Sequence, residues 1–413
     1  MAAVSDAAGI SGWWQRTAGG LPRAFWYLWA GQLVNRLGYF VQPFLTLYLV
    51  RGRDLPITTA GALVAAFGAG SLLSQVVAGW MVDRIGRRVT LVTGMIGTAV
   101  SLLGLGFSTA LVPLAFFAAA SGVMIDVYRP AVAALVADLV PPGERVRAFA
   151  LLYWAVNLGV SIAAVLGGAL ASRGYWVLFV IDAATCLGFA LLIARGVPET
   201  RPERTASADG SGYGVALRDR LLLALAGTNL VGAAVYGQCF VTLPLAITAD
   251  GLGPAAYGLV YAVNPVAVIV LQPLTLRWLS ARPPVLVAAA SSAVMGVGFG
   301  ATAFASTVPA YALTVLVWTL GEIGFNAVAP ALVADIAPAD QRGRYNGVLG
   351  LSFGGAALIG PIAGTAVLQR FGEPALWSGC LVASLASAAG MLALGPALMR
   401  RAGADTPVEP APA

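Results

Sequence analysis

Asp126 and Arg129 stand three residues apart in a stretch that is otherwise almost free of charge, Gly122-Val123-Met124-Ile125-Asp126-Val127-Tyr128-Arg129-Pro130. On a helix this spacing puts carboxylate and guanidinium on one face, where they can pair. Arg36, Asp182 and Glu322 are likewise embedded in apolar runs. A charge left facing hydrocarbon at the centre of a helix costs roughly 2.5–3.5 kcal/mol, so each must face protein or a wet cavity. A carboxylate in such a place is pulled two ways: desolvation favours its proton and nearby cations favour its charge. The chemistry within reach is proton exchange coupled to the breaking of an ion pair. Asp126 would alternate between pairing with Arg36 or Arg129 and carrying a proton, and Glu322 would be a second proton site or a charge selector for cations. A permanent salt bridge holding two helices together is the structural alternative, and Asp182 reads as a structural hydrogen-bonding group.

Other chemistries lose their central residue. All 24 basic residues are arginine, with no lysine and no histidine. Catalytic triads, histidine zinc sites, Schiff-base lysines and the P-loop lysine are therefore absent. No nucleophile and base form a recognisable pair, so an enzyme is not expected, nor a metal or other cofactor. Cys186, Cys239 and Cys380 lie inside apolar runs without CxxC spacing and read as small buried hydrophobes.

The elements that position these charges follow from composition. Of 413 residues, 59% are hydrophobic and 10% charged, with a mean hydropathy of +0.84. Soluble domains carry about 25% charged residues, so this chain needs lipid as part of its solvent. Apolar runs fall at 24–49, 59–82, 88–108, 112–136, 148–171, 175–195, 220–247, 255–277, 285–307, 309–335, 345–368 and 375–398. A crossing takes about 20 residues, so twelve helices fit. The expected organisation is an N-terminal tail 1–23, a six-helix bundle 24–196, a Pro-, Gly- and Ser-rich linker 197–219, a second six-helix bundle 220–398 and a tail 399–413. With both termini on one side, that side holds 18 of the loop arginines and the other holds four. This bias places both termini and the linker in the cytoplasm of a multi-pass protein of the inner (plasma) membrane. The net charge of +6 reports topology and not nucleic-acid binding.

The halves repeat. A shift of 197 residues lays Ala134-Leu135-Val136-Ala137-Asp138 on Ala331-Leu332-Val333-Ala334-Asp335, Pro141 on Pro338, Arg145 on Arg342 and Arg147 on Arg344. Such a parallel repeat builds two pseudo-symmetric bundles around a midplane cavity, an all-α membrane architecture suited to alternating access.

Between the second and third runs stands Gly79-Trp80-Met81-Val82-Asp83-Arg84-Ile85-Gly86-Arg87-Arg88. This resembles motif A of the major facilitator superfamily, in the loop where that family carries it. The resemblance implies a cytoplasmic gate made of Gly79, Asp83, Arg84, Gly86, Arg87 and Arg88, with Asp83 seated at the start of the eleventh helix in the outward-open state. It also implies that a motif arginine pairs with the acid ending the fourth helix, here Asp138. The second copy, Leu276-Arg277-Trp278-Leu279-Ser280-Ala281-Arg282, lacks the glycine and the acid. The stretch from Gly122 to Pro130, continuing to Asp138 and Arg145, is similar to the twelve-helix drug:H+ antiporters of the multidrug-resistance branch. It departs from them in having Ala118 where they carry an arginine and Gly360-Pro361 in the eleventh run in place of a Gly-Pro in the fifth.

Gln32, Asn35, Tyr39, Tyr128, Asn157, Asn229, Tyr236, Asn264, Trp318 and Asn326 recur on the runs that line the pathway in that superfamily. Aromatic walls with a few polar groups suit amphipathic molecules. The expected function is proton-coupled export of small amphipathic compounds by a monomer whose partners are substrate, protons and the lipid bilayer. The alternatives are a carrier of one polar solute (peptide, sugar or metabolite) and a lipid or glycolipid flippase.

Overall fold

A computed structural model describes residues 20–200, 216–334, 336–338 and 342–404. It is 88% helical and holds no strand among the described residues. In hydrocarbon every backbone N–H and C=O must be satisfied within its own segment, and a helix does this.

In chain order the helices are α1 (Arg23–Leu37), α2 (Val41–Leu47), α3 (Ile57–Ile85), α4 (Arg87–Phe107), α5 (Leu111–Asp126), α6 (Tyr128–Leu139), α7 (Arg145–Ala171) and α8 (Trp176–Gly196). After the linker come α9 (Arg220–Tyr236), α10 (Gln238–Val241), α11 (Leu243–Ala249), α12 (Pro254–Ser280), α13 (Pro284–Ala301), α14 (Val308–Ala334) and α15 (Arg342–Ala404). Among the described residues, ten helical stretches are long and apolar enough to span a bilayer. The first crossing falls outside that set because it is broken into α1 and α2. The eleventh and twelfth are joined in α15, which turns at Gly372 with φ 81°. Twelve crossings result, as the apolar runs predict.

The breaks have local causes. Proline has no N–H and leaves the carbonyl four residues earlier without its helical partner. Pro130 does this to Asp126, where α5 gives way to α6, and Pro244 does it to Phe240, where α10 gives way to α11. In the first crossing, Asp182 of α8 accepts a hydrogen bond from Val41 N at 3.1 Å and so caps the restart at α2.

Within the first half, α1 packs on α7 and α8, α3 on α5, and α4 on α5 and α8. Within the second, α9 packs on α15, α13 on α14 and α15, and α12 on α14. The two bundles meet along α3 with α15 and along α7 with α12. Toward the linker one apolar core lies wholly in the first half, from Leu21 to Val197, and one wholly in the second, from Ala216 to Leu398, while a further first-half core, from Val41 to Phe179, sits at the opposite end. The fourth core mixes the halves, joining Phe40, Phe44, Leu47 and Ala164 to Leu243, Tyr257, Tyr261 and Trp377. Those residues lie toward the loops at 53–56, 172–175 and 250–253, the far end. The bundles therefore share a core at the far end and keep separate cores at the linker end.

Close approach seals the far end. A Cβ on Gly168 would lie 2.7 Å from Pro254 O, and one on Gly258 would run into Ala164 O, so only glycine lets α7 and α12 touch there. Thr46 Oγ1 donates across the seam to Phe240 O at 3.1 Å, the carbonyl that Pro244 set free.

Residues 201–215 lie outside the described residues, but both ends of the linker are docked. Glu199 accepts from Arg88 N at 3.2 Å and Val89 N at 3.1 Å, capping α4. Asp219 caps α9 through Leu221 N at 3.0 Å and also accepts from the Tyr345 hydroxyl and the Arg401 guanidinium, each at 2.6 Å. Burial pushes the Asp219 carboxyl up, and these donors together more than reverse it, holding it below the usual carboxylate range. Its contribution to stability is thus full at neutral pH, fades as the pH falls past the ordinary aspartate value, and is gone below the depressed native one. Asp219→Ala is expected to cost about 1 kcal/mol or somewhat more, the scale of a lost cap. Thermal unfolding in detergent at neutral pH checks this, and the deficit should vanish in strong acid.

Candidate functional site

The ionisable groups predicted to sit in the membrane interior fall into two clusters, one per bundle. In the first, Arg129 Nε lies 3.2 Å from Asp126 Oδ1, the i, i+3 pair that the spacing predicts. The Ser71 hydroxyl of α3 donates to the other carboxylate oxygen. Arg36 does not pair with Asp126. Its guanidinium sits 5.0 Å from the ring centroids of both Tyr39 and Tyr128 and donates to the Tyr128 hydroxyl. Two ring faces stabilise a desolvated cation without neutralising it. Gly159 makes this approach possible: a Cβ there would stand 2.5 Å from the Cβ of Arg36, so α7 can lie against the break in the first crossing.

Arg36 is buried, whereas the Arg129 side chain is 70% exposed, although it stands midway along a crossing. Tyr39, Tyr128 and Asp126 are within electrostatic reach of Arg129. A cation ringed by polar groups of its own bundle opens onto the space between the bundles, where water can reach it.

In the second bundle, Glu322 of α14 accepts from Asn264 Nδ2 of α12 at 2.5 Å and from the Tyr236 hydroxyl of α9. Asn264 also donates to Thr319 Oγ1 at 3.0 Å. No cation pairs with Glu322 among the described residues. Tyr153 of α7 faces it from the first bundle. Along one face of α14, exposure rises from buried Trp318 through half-buried Glu322 to exposed Asn326, one turn apart each. The space beside Glu322 thus widens toward the linker end, where the bundles have separate cores.

Not every predicted lining residue reaches this space. Asn35 donates to Cys186 Sγ at 3.2 Å, and Asn229 donates to Ser352 Oγ at 2.5 Å, each inside its own bundle. Trp318 is 1% exposed, stacked on Phe299 with ring centroids 5.3 Å apart, and belongs to the core. Gln32 is buried one turn before Arg36. Asn157 donates to Tyr153 O at 2.9 Å, a bond within α7 that leaves its side chain half-buried. The reason is rotational: apolar runs tell which helix a residue is on, but lipid, core and cavity faces are all apolar in such a chain. Ser71, Tyr153 and Thr319 join the clusters with no signal in sequence. Their types are common on any crossing.

The loop after α3 is built as the motif implies in part. Gly86 has φ 95°, a left-handed turn, and a Cβ there would strike the Glu199 carboxylate. Arg87 Nε lies 3.1 Å from Asp138 Oδ2, joining the loop to the end of α6. Arg88 donates to Ala194 O. Arg84 does not join them; it stacks on Trp80, 5.7 Å from the ring centroid. The surroundings of Gly79, the side chain of Asp83, and residue 335 with 339–341 before α15 lie outside the described residues.

Comparison with known proteins agrees with this fold. The family model of the Major Facilitator Superfamily matches residues 28–327 and 239–412. The MFS-type transporter YttB of Bacillus subtilis (strain 168) is 26% identical over 381 residues, covering 89% of this chain and 94% of that protein. The Na(+), Li(+), K(+)/H(+) antiporter of Planococcus maritimus is 24% identical, covering 80% of this chain and 86% of its own. Multidrug resistance protein MdtH of Aeromonas salmonicida (strain A449) is 26% identical, covering 83% and 87% respectively. Among solved structures, peptide transporter POT in complex with sulfate superposes with a TM-score of 0.77 at 18% identity, over 94% of this chain and 99% of that one. At that identity the likeness is one of fold.

Proposed function

The chain belongs to the major facilitator superfamily, and from that premise we propose that it is a proton-coupled exporter of small amphipathic compounds working by alternating access. It is a multi-pass membrane transporter and not an enzyme. The bundles are residues 24–196 and 220–398, moving as a monomer in the plasma membrane with both termini cytoplasmic. With the arginine-rich side inward, the linker end is the cytoplasmic end, so the bundles share a core on the outer side and keep separate cores on the inner side.

The observation that carries the reading is Glu322, a carboxylate held among the described residues by Asn264 and Tyr236 and by no cation, in the bundle that does not carry the Asp126–Arg129 pair. Glu322 supplies the charge that a lipophilic cation seeks, and Tyr153 and Tyr236 supply ring faces. Asp126 is the proton site: protonation dissolves its pair with Arg129 and leaves Ser71 as its partner. Arg87 and Asp138 stabilise the cytoplasmic gate. The name of the Na(+), Li(+), K(+)/H(+) antiporter among the relatives supports antiport, and that of multidrug resistance protein MdtH supports drug-like substrates. A carrier of an anionic or carboxylate-bearing solute is the second reading, favoured by the exposed Arg129 guanidinium.

Transport in proteoliposomes with an imposed pH gradient tests the choice. Lipophilic cations should move, while peptides, sugars and organic anions should not. Glu322→Gln is expected to weaken the cations roughly ten- to hundredfold, the scale of about 1.5–3 kcal/mol for a charge-assisted contact. Uptake of a single polar solute, indifferent to Glu322→Gln, would defeat the proposal.

A further inference from the structure

The two halves share one pair of side chains beside the motif loop that the ion pairs there leave unused. Trp80 and Arg84 stand one turn apart at the linker end of α3. A register of 198 residues lays Trp278 and Arg282 on them, at the linker end of α12, where the Arg282 guanidinium lies 4.0 Å from the Trp278 ring centroid. The indoles are 55% and 58% exposed, and both arginines are exposed as well. Neither arginine has an acidic partner among the described residues, although Arg87, one turn on, does. The same register puts Ala281 on Asp83 and Pro284 on Gly86. The second half has thus lost the groups of the gate and kept the tryptophan and the arginine, so the pair has a role apart from gating.

We propose that these pairs are matched docking sites for the phosphate of an anionic lipid in the linker-side leaflet, one on each bundle. Tryptophan settles at the headgroup level, one face on acyl chains and one edge toward water. A guanidinium offers phosphate two parallel hydrogen bonds, and stacking on a ring fixes its plane before the anion arrives. An exposed apolar stripe leads to each pair through the membrane span, Leu73 on α3 and Val270 and Leu274 on α12. That stripe is what an acyl chain attached to the phosphate would cover, and a free anion would gain nothing from it. The two sites would hold both bundles at one depth in the same leaflet while they tilt against each other.

The test uses the full chain purified in detergent, with phosphatidylglycerol or phosphatidylcholine added, reading thermal unfolding and lipids retained in native mass spectrometry. Phosphatidylglycerol should raise the unfolding temperature of the wild type more than phosphatidylcholine does. Arg282→Gln and Trp278→Leu should each lose about half of that difference and one retained lipid. Arg400→Gln, an equal change of charge at an exposed site outside the pairs, should lose little. If either pair variant folds poorly, Arg84→Gln gives the same reading at the other site. Equal losses in Arg400→Gln and Arg282→Gln would overturn the proposal, as would an equal rise with inorganic phosphate.

Discussion

Asp126→Asn is expected to lower pH-gradient-driven transport by on the order of a hundredfold, the scale on which a positioned proton-transfer group acts. The chain should still fold and still bind substrate. Removing one partner of a fully buried ion pair costs about 3–5 kcal/mol, but that figure belongs to charges that water cannot reach. Arg129 is 70% exposed, so its pair is closer to a surface pair, worth about 1 kcal/mol or less. Asparagine also keeps an oxygen for the Ser71 hydroxyl. The small stability loss and the large transport loss therefore separate. Thermal unfolding reads the first and vesicle uptake the second. A variant that remains fully coupled would remove Asp126 from the proton path.

Gly258→Val should have the second largest effect, by a different route. The Cβ would collide with Ala164 O and stand 3.1 Å from Gly168 Cα, both backbone on the opposite bundle, which cannot swing aside as a side chain can. Overpacking of this kind costs roughly 1–3 kcal/mol. The cost falls only on the state in which the far end is sealed, so the population of that state should drop on the order of tenfold relative to the other. Accessibility of a thiol placed at the far-end mouth measures it. Unchanged accessibility with normal transport would show that the α7–α12 contact is not part of the outer seal.

Much of this architecture is legible in the chain itself, because lipid imposes it. Twelve apolar runs become twelve crossings, and the spacing of Asp126 and Arg129 becomes an ion pair. The pairing of Arg87 with Asp138 followed from resemblance to a motif rather than from pattern. What the residues do not declare is rotation. Asn35, Asn229 and Trp318 look like cavity residues by type, yet each faces its own bundle, because a helix that is apolar all round has no polar face to orient it. Arg36 stands between two tyrosines and not beside Asp126, since the break at 38–40 and the close approach at Gly159 decide where it can reach. Glu199, lost in a segment with the composition of a flexible linker, caps α4.

The account turns on protonation of Asp126 releasing Arg129 and tipping the bundles from one opening to the other. The native cysteines Cys186, Cys239 and Cys380 are buried, so spin labels on Arg173→Cys and Thr307→Cys, exposed at the far ends of the two bundles, report their separation selectively. Pulsed electron paramagnetic resonance in lipid nanodiscs, at alkaline and then acidic pH, should show a shift in population between a short and a long distance. In Asp126→Asn, whose side chain carries no charge at either pH, the distribution should be the same at both. A wild-type distribution that does not move with pH, or an Asp126→Asn distribution that moves as the wild type does, would contradict it.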